Sequence, residues 1–174
     1  MIKLHDFRDK RLNINWRTIQ IGWNGPGKFL RQLTEKEIID YAIELVTKAE
    51  TQPEDIWTLA GLSVGSSDEI DIVLGRLVDI EKSDFDIEMR KWRVLLVNNA
   101  LDNLKNEPLY DLIALTEVWE KFNYPADSPH IVQGFNNSIT PQEYYDNKNL
   151  EITIKQHRDW VDAELKSLRN NDTH

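Results

Sequence analysis

Residues 34–49 read TEKEIIDYAIELVTKA, and this stretch decides the class of fold. Thr34 followed three residues later by Glu37 is the pattern of a capping box, in which two side chains satisfy backbone N–H groups at the start of a helix. Ile38 and Ala42 then follow at the spacing of one helix face, with about 3.6 residues per turn. The stretch therefore predicts an amphipathic helix that begins just after Thr34.

Similar helix starts recur along the rest of the chain. Proline precedes an apolar run twice, and it is favoured at the first helical position because the N–H that it lacks is not needed there. A serine or threonine followed three residues later by glutamate marks two more starts, and an aspartate can cap another. Starts are predicted at Pro53, at Ser66 with Glu69, at Asp84 or Asp86, at Pro108, and at Thr140 with Glu143.

Signals for β-strands are scarce. The one convincing alternation of polar and apolar residues, at 18–21, fits helical spacing equally well. A parallel α/β fold needs several strands alternating with helices, and the sequence does not supply them. We therefore expect an all-α (or mainly α) fold, a compact single-domain bundle of about seven to eight helices.

The length of 174 residues suits one domain spanning 1–174. We expect a basic N-terminal segment at 1–33, a helical body at 34–122, a loop rich in Pro, Gly, Asn and Ser at 123–139, and C-terminal helices at 140–169. The sequence leaves open whether the first 33 residues pack on the body or form a mobile basic arm.

Composition narrows the setting in which the protein works. Apolar residues make up 40% and charged residues 29%, which is ordinary for a globular domain. There is no cysteine, so disulfides, thiolate metal sites and cysteine nucleophiles are all excluded. The first residues lack the apolar region of a signal peptide, and no run approaches the roughly 20 apolar residues of a spanning helix. We expect a cytoplasmic protein.

Charge is distributed unevenly along the chain. The net charge is −9, but residues 1–36 carry +5 and the remainder carries −14. A negative body repels nucleic acid and anionic membranes, and it attracts a basic protein partner. The alternative is that the negative charge only keeps the protein in solution.

The acidic residues are densest between positions 68 and 88. This segment contains only two basic residues, Arg76 and Lys82, and on two helices its acids would form a negative patch suited to a basic partner. A solvated outer face is the alternative interpretation. The predicted partner-binding residues are Asp68, Glu69, Asp71, Asp79, Glu81, Asp84, Asp86 and Glu88, together with Trp23, which we expect to be exposed beside a Gly/Pro turn.

Residues Gly61-Leu62-Ser63-Val64-Gly65 match the G-x-S-x-G nucleophile elbow of serine hydrolases. That chemistry requires a serine on a sharp turn between a strand and a helix, with an acid and a histidine following, as Asp127 and His130 or His157 could. The segment before Ser63 is predicted to be a helix, so a small-residue junction between two helices is the stronger interpretation. A serine hydrolase using Ser63 stays as an alternative function.

Residues Gly22 to Lys28 match most of a phosphate-binding loop. Phe29 stands where a Ser or Thr would hold magnesium, and Pro26 lacks a backbone N–H that the phosphate cradle would use. We interpret the segment as a turn between helices.

No metal or cofactor site is predicted, and no catalytic residue. The alternating acids at 84–88 lack the glycine of a calcium loop, because Met89 occupies that position. The four histidines, His5, His130, His157 and His174, show no ligand spacing.

The order of several short motifs resembles an uncharacterised bacterial family, domain of unknown function 2247. The resemblance extends from about residue 12 to 169, nearly the whole chain. Small acidic helical proteins of this kind are similar to the immunity proteins of bacterial toxin systems, and the resemblance implies no catalytic residues. It depends on Trp16 with Gly22, Tyr41-Ala42-Ile43-Glu44-Leu45, Asp68-Glu69-Ile70-Asp71, Trp92, and Phe122-Asn123-Tyr124-Pro125.

The sequence thus favours a non-enzymatic, cytoplasmic protein-binding module without a cofactor. An immunity-type inhibitor that occludes a basic toxin domain is its most specific form, with the acids at 68–88 steering the partner. A helical structural or adaptor module and the serine hydrolase are the alternatives.

Overall fold

The computed structural model describes residues 1–49 and 51–171, and in them the chain forms nine helices and no strand. The predicted all-α class is therefore confirmed. Within the same residues, no helix is both long enough and apolar enough to cross a membrane. The helices are α1 (Leu4–Asp9), α2 (Trp16–Asn24), α3 (Glu35–Lys48), α4 (Glu54–Ala60), α5 (Ser67–Glu81), α6 (Phe85–Asp102), α7 (Pro108–Lys121), α8 (Pro141–Tyr144) and α9 (Asn147–Asn171).

Two of the predicted capping boxes are confirmed. The backbone N–H of Thr34 donates to the Glu37 carboxylate at 3.0 Å, and the N–H of Glu37 donates to the Thr34 hydroxyl at 3.2 Å. Thr140 and Glu143 form the same reciprocal pair before α8. Each box satisfies N–H groups that have no partner inside the helix, which explains why these signals could be recognised from a few adjacent residues.

Other helix starts differ from the predictions. Ser66 does precede α5, but its side chain makes no capping hydrogen bond, so the predicted box with Glu69 is wrong. Pro53 lies one residue before α4 instead of opening it. The stretch at 18–21 belongs to α2, which begins with an unpredicted box between Asn15 and Thr18.

The chain divides into two compact units, Met1–Trp92 and Arg93–His174, with the division inside α6. That all of the chain is one domain stays a prediction. In the first unit α3 packs on α4, and both α2 and α4 pack on α5. The N-terminal segment is part of this unit, because Phe7, Trp16 and Leu33 are buried in its core. The first 33 residues are therefore packed and do not form a free arm.

Trp92 passes unusually close to the backbone of α2. A Cβ atom added at Gly22 would lie 2.1 Å from the Trp92 ring and 2.9 Å from Leu33, so no other residue fits there unless the ring moves. The Trp92 indole N–H also donates to the Thr18 carbonyl at 2.7 Å, and the Phe7 ring meets the indole edge-on at 4.7 Å. Gly22 thus allows the part of α6 that ends at Trp92 to lie against α2.

The core of the second unit forms where α7 and α8 pack on α9. Leu112, Tyr144 and Leu150 make up one buried cluster. Trp119 of α7 is fully buried and contacts the Trp160 ring edge-on at 5.0 Å. The predicted loop at 123–139 connects α7 to α8 without forming a helix or strand.

The close approach predicts that Gly22→Ala destabilises the protein. The added methyl group must displace Trp92 or α2, and we expect a loss of about 1–3 kcal/mol in the free energy of unfolding. Urea unfolding followed by circular dichroism measures this change. Gly75→Ala is the matched control, because Gly75 lies inside α5 with nothing within 4 Å of its added Cβ. We expect it to stabilise the protein by up to about 1 kcal/mol, and equal destabilisation by the two variants would contradict the packing argument.

Candidate functional site

The exposed face of α5 combines acids with large apolar side chains. Asp68, Glu69 and Asp79 are exposed. Ile72 and Ile80 lie on the same face, because residues three or four positions apart are neighbours on a helix and residues seven or eight apart share its side. The two isoleucine side chains are 59% and 65% exposed. We call these five residues the outer α5 surface.

The single basic residue of α5 does not neutralise this surface. Arg76 donates two hydrogen bonds to the Asp55 carboxylate of α4, at 2.9 and 2.6 Å, and so is already paired. No residue in the described part of the chain forms an ion pair with Asp68, Glu69 or Asp79. The three carboxylates therefore keep their attraction for an external cation.

Two other predicted acids maintain the fold around α2. The Asp71 carboxylate accepts a hydrogen bond from the Trp23 indole. Glu81 accepts from the backbone N–H of Trp16 at 2.7 Å, in the first turn of α2, where N–H groups lack helical partners. Burial raises the pKa of Glu81, and the backbone hydrogen bonds from Trp16 and Arg17 oppose that rise.

Glu88 is buried and does not belong to an exposed acidic patch. It pairs with the equally buried Lys91 at 3.1 Å and accepts a hydrogen bond from the Thr18 hydroxyl. The Lys91 ammonium also donates to the Asn13 carbonyl at 3.1 Å. A buried charge is tolerated only when it is paired and hydrogen-bonded, and Glu88 and Lys91 meet this condition together.

The remaining predicted acids lie at the start of α6. The Asp84 carboxylate accepts from the backbone N–H groups of Asp86 and Ile87, at 2.8 and 3.2 Å, and so caps this helix. Asp86 is exposed in the first turn. The helix dipole favours acidic residues at the start of a helix, so the positions of Asp84 and Asp86 are explained without a binding partner.

The expectation that Trp23 is exposed is wrong, since its side chain is only 1% exposed. Besides its hydrogen bond to Asp71, the indole is covered by the Arg31 guanidinium, which lies 3.3 Å from the ring centroid. Trp57 of α4 is instead the exposed tryptophan, at 49%. Trp23 lies next to a turn in the sequence, but it still belongs to α2 and is one of the buried residues of that helix.

The two segments that partly match a nucleophile elbow and a phosphate-binding loop lie at helix junctions. Ser63 is exposed in the connection between α4 and α5, and a helix precedes it where a nucleophile elbow needs a strand. Gly25 ends α2 with a φ of 98°, and a Cβ there would meet the Phe29 carbonyl at 2.3 Å. Gly22 and Gly25 are therefore explained by packing and turn geometry.

One group of side chains with metal-ligand chemistry was not predicted. His5, Asp6 and Asp9 of α1 bring ligand atoms within 4.8 Å of one another at the surface. The Asp6 carboxylate already accepts from the backbone N–H of Lys3 at 2.7 Å. This group contains only one histidine, so it has no histidine spacing that would mark it in the sequence.

A pair of buried histidines was also missed by the sequence analysis. The His130 and His157 rings lie 5.4 Å apart in the second unit. The His157 Nε2 atom accepts from the Trp119 indole N–H at 2.8 Å, and its Nδ1 faces the Thr153 carbonyl at 2.7 Å. His157 is therefore the neutral tautomer with its proton on Nδ1, and both ring nitrogens are engaged.

His130 lies against two neighbouring hydroxyl groups. Its Nε2 atom is 2.8 Å from the Thr116 hydroxyl, which also contacts the Leu112 carbonyl at 2.8 Å. It is 3.5 Å from the Tyr144 hydroxyl, which donates to the Ile131 carbonyl at 2.8 Å. The other nitrogen, Nδ1, is buried and makes no hydrogen bond to any described residue.

Comparison with known proteins identifies the family but no site. A family model for uncharacterised proteins conserved in bacteria, domain of unknown function 2247, matches residues 4–165. The match confirms the resemblance seen in the sequence and covers most of both units. No curated protein and no solved structure matches the chain. The likeness to immunity proteins stays a prediction.

The buried histidines predict how stability depends on pH. Burial, and to a smaller extent His157, lowers the pKa of His130 to about 3; burial also lowers the pKa of His157. The unfolded chain therefore binds protons that the folded chain excludes, and stability that is fully present above about pH 6.5 is lost as the pH falls. We expect urea titrations to show a loss of up to about 1.4 kcal/mol per pH unit for each histidine as the pH approaches about 5.

His157→Gln is the matched control for this prediction. A glutamine side chain can accept from Trp119 and donate to the Thr153 carbonyl, but it does not titrate. The unfolding free energy of this variant should fall less steeply as the pH decreases, because one of the two buried histidines no longer contributes to the slope. Equal slopes in the two proteins would show that His157 does not contribute as a buried neutral group.

Proposed function

We propose that this chain, which belongs to the bacterial family of domain of unknown function 2247, is a non-enzymatic protein-binding module. The outer α5 surface is its binding surface, and its partner is a basic protein. The observation that supports the proposal is the exposure of Ile72 and Ile80 among three carboxylates that no described residue neutralises.

The two kinds of side chain have complementary roles in binding. Large apolar side chains contribute affinity when a partner removes them from water, whereas charges around them mainly orient the partner and speed its approach. The neighbouring helix α4 packs on α5 and carries Trp57, an exposed aromatic residue of the type that often dominates an interface. The surface thus offers both contact area and a preference for positive charge.

Attraction of the partner rests on these local acids and not on a strongly negative body. The basic N-terminal segment packs into the first unit, and residues 1–92 together hold 13 basic and 17 acidic side chains. Solvent ions screen exposed charges beyond about 10 Å at ordinary salt, so a partner responds mainly to the charges nearest to it. Asp68, Glu69 and Asp79 are therefore the residues that we assign to partner selection.

We favour an immunity-type inhibitor as the specific form of this function. Such a protein occludes a basic toxin domain in the bacterial cytoplasm, a reducing compartment that suits a chain without cysteine. Co-expression with the product of the adjacent gene tests this form: the chain should restore growth that the neighbouring protein stops. A partner that is not toxic would instead assign the same surface to an adaptor or structural module.

The charge requirement predicts a specific effect of neutralising the outer α5 surface. Capture from the native host at low salt supplies the partner, and its affinity is then measured by calorimetry. We expect Asp68→Asn, Glu69→Gln and Asp79→Asn together to weaken binding by about tenfold or more and to reduce its salt dependence.

The matched control removes the same charge from the second unit. Glu117→Gln, Glu151→Gln and Asp162→Asn replace three exposed acids of α7 and α9. This variant should bind nearly as well as the unaltered chain. Equal weakening by both triple variants, or failure to capture any basic protein at low salt, would contradict the proposal.

The alternative of a serine hydrolase has a direct chemical test. A fluorophosphonate probe labels an activated serine, and we expect no labelling of the folded protein because Ser63 lies in a junction between helices. Ser63→Ala identifies the labelled residue if a signal occurs. Labelling that this substitution abolishes would establish the hydrolase and overturn the non-enzymatic proposal.

A further inference from the structure

The loop between α7 and α8 encloses a cleft of about 720 Å³. Ligand sites of this kind measure about 300–1,000 Å³ and are lined mainly by apolar and aromatic side chains. Connections of this length without a helix or strand are uncommon in small domains and are usually functional or disordered. The internal hydrogen bonds of this loop show that it has a defined structure.

The side chain of Asn137 holds the loop together with four hydrogen bonds. Its amide nitrogen donates to the Val132 and Phe135 carbonyls, both at 2.8 Å. Its amide oxygen accepts from the backbone N–H groups of Gly134 and Ile139, at 3.3 and 3.2 Å. One wall of the cleft is therefore built before any ligand arrives, which lowers the ordering cost of binding.

The loop also holds an aromatic residue in an unfavourable backbone conformation at the cleft. Tyr124 has a φ of 47° and follows Asn123 at 56°, although a bulky side chain rarely adopts this left-handed region. Its backbone N–H donates to the Trp119 carbonyl at 3.0 Å, which ties the turn to the end of α7. Strain of this kind clusters at binding sites, where the structure maintains it to position a side chain.

The lining of the cleft exposes more apolar than polar surface and carries no charged side chain. Tyr124, Ile131 and Phe135 contribute large surfaces that are 41%, 50% and 69% exposed. The side-chain amides of Asn123 and Asn136 also line the cleft and make no hydrogen bond within the described part of the chain. Aromatic faces with free amides suit a flat molecule that has hydrogen-bonding edges and no charge.

His130 contributes to the cleft mainly as part of its wall. Its Nε2 atom lies 2.8 Å from the Thr116 hydroxyl, and its Nδ1 atom is buried without a hydrogen bond to any described residue. Because Nδ1 has almost no accessible surface, the recognition of polar ligand edges falls to the side-chain amides of Asn123 and Asn136.

We propose that this cleft binds a free, neutral, planar heteroaromatic molecule with hydrogen-bonding edges. The volume exceeds what one inserted protein side chain requires, and the absence of a cation from the lining disfavours nucleotides and other anions. A nucleic-acid chain is disfavoured for the same reason, because its phosphates would meet no positive charge. The inference is independent of the outer α5 surface.

The test uses three pairs of probes that share a ring and differ by an anionic group: adenine with adenosine monophosphate, nicotinamide with nicotinate, and indole with indole-3-acetate. Saturation-transfer NMR reports binding to the full chain. We expect at least one neutral probe to bind, and its anionic counterpart to bind at least about tenfold more weakly.

Substitution of an exposed lining residue locates the site. Phe135→Ala should lower the affinity for the bound probe by about tenfold, which is the effect expected for loss of one stacking ring. The exposed position of Phe135 means that the protein should stay folded. Ile152→Ala is the control, because Ile152 is an apolar residue of α9 that is 46% exposed and does not line the cleft. The affinity of the Ile152→Ala variant for the probe should be unchanged.

Three outcomes would overturn the proposal. They are failure of all three neutral probes to bind, equal binding of the neutral and anionic members of each pair, and equal affinity of Phe135→Ala and Ile152→Ala. Preferential binding of a tryptophan-containing peptide over free indole would also overturn it, because the cleft would then belong to a protein partner.

Discussion

The contact between Trp92 and the backbone of Gly22 is the constraint on which the first unit depends. The indole occupies the space in which any other residue would place its Cβ atom, while its N–H donates to the Thr18 carbonyl of the same helix. The Gly22 carbonyl in turn accepts from Gln32 and Leu33, at 2.8 and 3.3 Å. One glycine therefore brings together α2, the part of α6 that ends at Trp92, and the segment after α2, and the buried aromatic core of the first unit forms around this point.

This arrangement separates the acidic residues into two groups with different physical roles. Asp71, Glu81 and Glu88 satisfy donors that the packing of α2 would otherwise leave without partners. Asp68 and Glu69 face solvent, and no described residue pairs with them. Asp71 and Glu81 lie at the surface but are already hydrogen-bonded, and Glu88 is buried. An exposed carboxylate without a partner attracts a cation most freely, so only part of the predicted acidic patch is free for binding.

The two proposed sites use different chemistry because their surroundings differ. The outer α5 surface lies on a regular helix, where neighbouring acids and isoleucines give a flat surface suited to a protein. The cleft between α7 and α8 is built from irregular backbone held by the Asn137 side chain, and its uncharged, concave lining suits a small molecule. Neither site depends on the other.

The sequence by itself determined the helical class and several helix starts, because caps and periodicity act between residues a few positions apart. The Thr34 and Thr140 boxes are of this kind, and both formed as predicted. Only the tertiary structure decided which acids and aromatics are free. Trp23 meets Asp71 across 48 positions and Thr18 meets Glu88 across 70, and such partners cannot be read from neighbouring residues because they are chosen by how helices pack. For the same reason the buried pair of His130 and His157 became visible only once α7, α9 and the loop between α7 and α8 were in place.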